Sequence, residues 1–428
     1  MSDKLKDYNA FVKEAMENYQ KLPQETSEIY KRYFINIPFD VIPDKNATVN
    51  LNIEKELQKF QIKFDVIVLS DGSAIVNQKE FVKLINNEKL DTEKSMHKSS
   101  EDKYVAFINA YSKESILIDI PDNQKTGINV LVFGSDKSLN ERIFIKLGKS
   151  SKLEVFEYYA SDATKPSTIG IIHEAHLEEH AELELNCLHN ENKNTLSLSF
   201  FKNTSKSESN LILNSVYIGS IHTRVRNIVE ANEKNSKAEV NEVIFGASSQ
   251  KFDIGTYVVN GGSHTNVSLE SKAALMDNSF CIMKGFAKIK KGASKSKSYV
   301  HERGILLSKD AKVYGLPDMS VDENDVRATH SSATSPVDEE SVFYLMSKGI
   351  DEVGVRKLLI TGFFANSIAK IKNSLMKEFS MSLINSKLED KSYGVVPNMN
   401  ARNVWVASTD AKDSDIFKGH YKYRGTDQ

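Results

Sequence analysis

The chain has 428 residues, a formal net charge of −2 with 27% charged residues, and two cysteines. A balanced charge with no basic, aromatic-interleaved face excludes the electrostatic footprint of a nucleic-acid binder; two cysteines cannot build a disulfide framework; and no run reaches the ~18 apolar residues of a membrane helix. The length can bury a large core in two or three domains, and the charge-interrupted start MSDKLKDYNAFVKEAMENYQKL is not a secretory apolar segment, so a soluble cytoplasmic protein is expected.

Residues 1–60 read as largely helical, with Leu5, Tyr8, Phe11, Val12 and Ala15 at a 3–4 spacing. Residues Ile62 to Leu69 (IKFDVIVL) read as a strand, followed by an apolar cluster from Phe81 to Ile85. The polar stretch Asn86 to Asp102 predicts a surface loop. From Ile116 to about Val321 short strands alternate with Gly, Asn, Ser or Lys turns. Branched apolar residues return at Leu183, Leu196, Leu211, Val225, Val240, Ile254 and Val267, with Phe280 next. The step is roughly 14 residues, as expected of a solenoid whose coils stack and share one inner stripe. Two such half-turn strands make one coil of a flattened parallel β-helix. An antiparallel sandwich also recurs at regular spacing, and periodicity alone leaves both open. Ser341 to Leu388 is helical again, and a polar tail with the single Trp405 follows.

The stretch DVRATHSSATSPVDEESVFYLMSKGIDEVGVRKLLITGFF, Asp325 to Phe364, joins a polar segment to two apolar helices. It resembles the C-terminal signature of the SufB/SufD family, components of the Suf iron–sulfur cluster assembly system. The matching residues are Asp325, Val326, His330, Ala333, Thr334, Asp338, Glu339, Phe343, Tyr344, Leu345, Gly349, Ile350, Gly362 and Phe363, with Lys348 where Arg is usual. The resemblance implies a mainly β fold: a right-handed parallel β-helix core flanked by N-terminal α(+β) and C-terminal helical regions. The expected division is an N-terminal region at 1–115, the β-helix at 116–337 and a C-terminal helical region with polar tail at 338–428. It further implies a non-catalytic scaffold pairing with a SufB-like subunit and docking a SufC-like ABC ATPase. Neither nucleic acid nor membrane is an expected partner.

His330 is the sharpest site candidate, because neutral imidazole ligates iron in clusters of mixed Cys and His ligation. In the SufD-like pattern this position is a His near the subunit interface where clusters are thought to assemble. The Cys often found two positions earlier is Ala328 here. A hydrogen-bonded structural His at the end of the β-helix is the alternative. Phe343, Tyr344, Leu345, Gly349, Leu358, Leu359 and Phe363 are the expected ATPase-docking surface, or else a cap on the β-helix end. Gly261-Gly262-Ser263 lacks the pattern of a phosphate-binding P-loop, so ATP is expected on the partner.

The run HEAHLEEHAELELNCLH (His173, His176, His180, Cys187, His189) suggests a metal site. Strand alternation sends His173 and His176 to opposite faces, however, and an exposed coil edge is the plainer expectation. Cys187 and Cys281 cannot supply four cluster ligands, and Cys281, beside Phe280, Ile282 and Met283, is expected to be buried. No cofactor is expected to be held tightly by this chain alone; a transient iron–sulfur cluster at a subunit interface is. The SufD-like side fits better than the SufB-like side, because Arg224 to Ile244 holds no cysteine and position 330 is not Glu. The alternatives are a SufB-like or homodimeric cluster-carrying scaffold, and a β-helix enzyme acting on polysaccharide.

Overall fold

The computed structural model describes residues 2–31, 33–37, 62–70, 73–77, 80–87, 95–390 and 393–394. Strands β1 (Val66–Leu69), β2 (Ala74–Val76), β3 (Val82–Asn86) and β4 (Glu114–Ile120) begin the β region. They are followed by β5 (Lys125–Gly134), β6 (Leu139–Leu147), β7 (Lys152–Ser161), β8 (Ser167–Leu177), β9 (Glu182–Asn190) and β10 (Thr195–Ser205). Then come β11 (Asn210–Tyr217), β12 (His222–Ala231), β13 (Lys237–Gly246), β14 (Lys251–Asn260) and β15 (Asn266–Leu275). The last are β16 (Phe280–Ile289), β17 (Lys297–Leu306), β18 (Lys312–Gly315), β19 (Asp318–Val321) and β20 (Arg327–Pro336).

Odd- and even-numbered strands separate onto two faces. The first sheet runs β2-β1-β5-β7-β9-β11-β13-β15-β17-β20 and the second β18-β16-β14-β12-β10-β8-β6-β4-β3. Pairing is parallel throughout except β1 with β2 and β3 with β4. This is a parallel β-helix of about eight turns. Partners one coil apart are separated by two of the half-turn steps read from the sequence: Asn214 bonds Asn186, 28 residues back, and Asn241 bonds Asn214 across 27.

Alternate side chains fill the lumen, including Val66, Ile118, Ile145, Leu185, Leu213, Val240, Leu269 and Val300. Leu183, Leu211, Val225, Val240, Ile254 and Val267 face inward as the repeat required. Leu196 instead packs outward with Leu198 and Phe200, and Phe280 faces out against Tyr314; Ser197 and Cys281 hold the inward positions. A one-residue slip in a strand reverses the face, and a crude step cannot resolve it.

Both outer faces are covered. Helices α3 (Glu339–Ser347), α4 (Glu352–Lys370) and α5 (Ser374–Asp390) lie on the first sheet, where Phe364, Met376 and Phe379 cluster with Phe156, Tyr158 and Phe245. Helices α1 (Ser2–Lys21) and α2 (Lys103–Tyr111) serve the second sheet, with Tyr104, Phe107 and Ile108 against Ile172 and Phe200. Burial on both faces explains strands that read as near-continuous apolar runs rather than clean alternation.

The helical reading of the first 60 residues holds only to Lys21, just before Pro23; residues 38–61 lie outside the described residues. The arm after α1 is irregular, with one turn at 28–31. Its Glu25 carboxylate sits 2.9 Å from Arg224 and 2.6 Å from Arg226, and Asp253 bonds Arg226 at 3.0 Å and Lys284 at 2.7 Å. Breaking one member of such a buried set leaves an uncompensated charge, which costs about 3–5 kcal/mol. The expected surface loop is also corrected where it is described. Ser95, His97 and Ser99 are buried, and Glu174 accepts bonds from Ser95 Oγ at 2.6 Å and Met96 N at 2.9 Å. Polar composition there marks partners for buried charges, not solvent. Trp405 lies outside the described residues.

Candidate functional site

The first sheet ends at β20, which among the described residues is bonded on one side only. Arg327 N donates to Ser296 O at 3.0 Å and Val337 N to Leu306 O at 2.9 Å, so odd-numbered residues satisfy β17. The backbone groups of Ala328, His330, Ser332 and Thr334 therefore turn to the open edge. Their side chains continue the lumenal columns: His330 stands in register with Val300 and Ser332 with Glu302. His330 faces the lumen by register yet is exposed, because no coil follows it among the described residues.

Beneath this mouth lies a feature that the sequence reading missed. Glu157, Cys187, Ser215, Glu242, Ser271, Glu302 and Ser332 form one unbroken register column through successive coils of the first sheet. His173 and Thr256 on the second sheet supply partners across the lumen, and Tyr159 and Ser271 supply them from the first sheet itself. His173 Nε2 lies 2.9 Å from Glu157, Tyr159 donates to Glu157 at 2.6 Å, and Glu242 accepts from Ser271 at 2.6 Å and from Thr256. Burial pushes Glu157 up, but His173, the Tyr159 hydroxyl and His189 outweigh it and hold the carboxyl below the usual range. Burial raises Glu242, and it raises Glu302 well above the ordinary carboxyl value. The available signal was a Glu in the apolar strand frames VFEYY, NEVIF and HERGI, recurring at coil multiples.

The histidine run divides between inside and outside. His173 and His189 are buried, and His189 stacks between Tyr159 at 4.1 Å and Tyr217 at 4.9 Å. His176 is half-buried against Thr204, and exposed His180 lies 3.4 Å from Glu208. The expected exposed coil edge thus fails for His173 and His189, which the strand period sends into the lumen. Both cysteines are buried, with burial raising the thiols well above their ordinary value, so neither is a ready thiolate. Among the described residues no group of three or more His, Cys, Asp or Glu could hold a metal ion.

The residues assigned to docking split likewise. Phe343, Tyr344 and Leu358 are 75%, 60% and 57% exposed, beside exposed Met346, Ile350 and Val353. Leu345, Leu359 and Phe363 are half-buried against the C-terminal cluster, with the Phe363 ring 5.2 Å from Phe364. Gly349 ends α3 at φ +91, the left-handed position a helix stop favours.

A family model described as the SufBD core domain of SUF-system FeS cluster assembly matches residues 130–363, more than half of the chain. The chain belongs to the SufBD family. The match covers most of the β-helix and reaches the C-terminal helices. The chain is 29% identical over 147 residues to the iron–sulfur cluster assembly protein SufD of Bacillus subtilis, 34% of each protein. It is 24% identical over 371 residues to a SufBD-family protein of Pyrococcus horikoshii, 82% of this chain and 78% of the relative. SufD of Escherichia coli is 22% identical over 255 residues, 58% of each. Alignment to the two SufD proteins thus spans about a third and just over half of their lengths.

Proposed function

We propose that this SufBD-family chain is a non-catalytic scaffold subunit for iron–sulfur cluster assembly that pairs with a SufB-like subunit and docks a SufC-like ABC ATPase. The single observation that carries it is the open last coil. An unpaired strand edge bearing His330 adjoins helices that leave Phe343, Tyr344 and Leu358 in solvent. Long exposed edges and apolar patches are liabilities that proteins normally cover, and a partner covers them here. The relatives' SufD names support the SufD-like role, as does the burial of both cysteines as thiols, which disfavours a cluster carried by this chain alone. A second copy of the chain on the same edge is the competing assembly.

The docking helices are tested with Phe343→Asp combined with Leu358→Asp. Both side chains are exposed, so the fold and melting temperature are expected to be retained while co-purification of the ATPase is lost. Retained ATPase binding by the folded double variant places the docking surface elsewhere. Phe363 is unsuited to this test because it packs against Phe364.

A further inference from the structure

The outer face of the second sheet holds a cluster of buried charges that the assembly role does not use. Arg226, Gly255 and Lys284 stand in one register column across β12, β14 and β16, and Arg224 and Asp253 stand in the neighbouring column. Among the described residues the sheet itself supplies these three cations with one carboxylate in ion-pair reach, Asp253, which bonds Arg226 and Lys284. Buried cations need further anionic partners, and those come from outside the β-helix. Asp102, before α2, lies 3.6 Å from Arg224. Glu25 Oε2 accepts from Arg224 Nη2 at 2.9 Å and from Arg226 Nε and Nη2 at 3.2 and 2.6 Å.

The segment around Glu25 is seated like a ligand. Five residues on, the ring of buried Tyr30 has the Arg226 guanidinium 4.7 Å and Lys284 Nζ 5.1 Å from its centroid. Gly255 makes the seat, since a Cβ there would stand 3.0 Å from Tyr30 Cζ. Lys284 also donates to Tyr33 O at 2.8 Å, and Ile35 N donates to Asp253 at 2.9 Å. Residues 22–31 and 33–37 form neither helix nor strand, so side-chain anchors rather than a backbone ladder hold them. The fit is incomplete. Arg224 is fully buried, yet its Nε and Nη1 have no hydrogen-bond partner, and neither has the Tyr30 hydroxyl. Glu25 turns its other oxygen back to the Ser27 N–H at 3.1 Å. The cradle therefore offers more buried donors than its own chain fills.

We propose that this cradle is a recognition site for an acidic–aromatic peptide, a carboxylate followed five residues later by a tyrosine. Residues 22–37 are a tethered copy of that ligand, which the corresponding segment of a partner protein displaces. A segment that turns both carboxylate oxygens, or a second acid, to Arg224 satisfies the donors that Glu25 leaves free. A short tether keeps the chain's own copy at an effective concentration of roughly millimolar, so it must be weakened before a ligand binds in trans.

The test uses the full chain carrying Glu25→Gln and Tyr30→Ala, with a fluorescent synthetic peptide of residues 22–37 read by anisotropy. The folded variant is expected to bind the peptide, and the parent chain to bind it at least about tenfold more weakly. A peptide with Gln in place of Glu25 should bind at least about tenfold more weakly than the original, because it loses the charge-assisted bonds to both arginines. Adding Arg226→Gln to the variant should weaken binding likewise. No binding by the folded variant, or binding indifferent to the carboxylate of the peptide, overturns the site. Where the double variant does not fold, Glu25→Ala alone is unfolded in urea with sodium acetate or sodium chloride at equal ionic strength. Acetate filling the vacated carboxylate position should raise the midpoint above that in chloride, and equal midpoints overturn the proposal.

Discussion

His97 is buried, its ring edge-on to Phe200 at 6.3 Å and its Nε2 without a hydrogen bond. Burial lowers its pKa to about 4, against the raising pull of Glu174. The unfolded imidazole takes its proton near 6.5. Between these values the unfolded chain binds more protons, so this residue makes stability fall as pH falls through that window. From pH 7 to pH 5 the loss is about 2 kcal/mol. His97→Leu, which cannot titrate, should shrink the pH 7-to-5 change in urea-unfolding free energy by about that amount; an unchanged pH dependence would show that His97 is solvated in the native state. The neighbouring charge works differently. Arg142 Nη2 donates to Ser95 Oγ at 2.8 Å and lies 3.6 Å from Glu174, so the segment beginning at Ser95 is held to the strands by buried polar contacts as well as by apolar area.

At the scale of the element, the β-helix depends on its corners. Asn123, Ser150, His180, Glu208, Asn235, His264 and Lys295 all have φ between 55° and 61°, one to a coil along a single edge. Each donates its N–H to the following coil: Ser150 to Glu179 O at 2.9 Å, His180 to Ser207 O at 3.1 Å and His264 to Ser294 O at 2.8 Å. A left-handed turn thus both reverses the chain and carries the stacking ladder around the corner. Non-glycine residues in this conformation cost about 1–2 kcal/mol each. Ser150→Gly relieves that strain but loses about 0.5–1 kcal/mol of chain entropy, for a net gain of about 0.5 kcal/mol. Ser150→Ile should lose about 1–3 kcal/mol, because a β-branched side chain is poorly accommodated there. Urea midpoints of the two variants check the order, and equal midpoints would mean that the corner relaxes freely.

For the molecule as a whole, the two faces are shut by helices and one end is not. The free backbone groups of β20 belong to the even-numbered residues, and Pro336, which has no N–H, already occupies one of those positions. Ala328→Pro removes another outward N–H without breaking a bond to β17, the placement an edge strand tolerates. The variant should stay within about 1 kcal/mol of the parent stability and weaken association through that edge, read by light-scattering mass with and without the SufB-like partner proposed above. Undiminished association would locate the interface on another surface. No helix among the described residues is long and apolar enough to cross a membrane.

The roughly 14-residue return of Leu211, Val225, Val240 and Ile254 was enough to set the half-coil step, because each coil must present an apolar residue to the same lumen. Parallel coil against antiparallel sandwich was not decided by that spacing, since both bury one face of each strand; the Asp325–Phe364 signature decided it by resemblance. The C-terminal helices were legible from Asp338 as a helix start and Gly349 as a stop. Which of their apolar residues stay in solvent was not, since the helical period names one face while the curved sheet beneath covers only part of it: Phe343 and Leu358 remain out, and Phe364 goes in. The lumenal column was hidden for a different reason. Glu157, Glu242 and Glu302 are three and two coils apart, and a carboxyl in an apolar strand looks like a surface residue until stacking at 27- to 31-residue offsets sets it over its neighbours. His330 could be named as a candidate from the chain alone; that it continues the lumenal face one coil beyond the buried Glu302 is a property of how the last two coils stack.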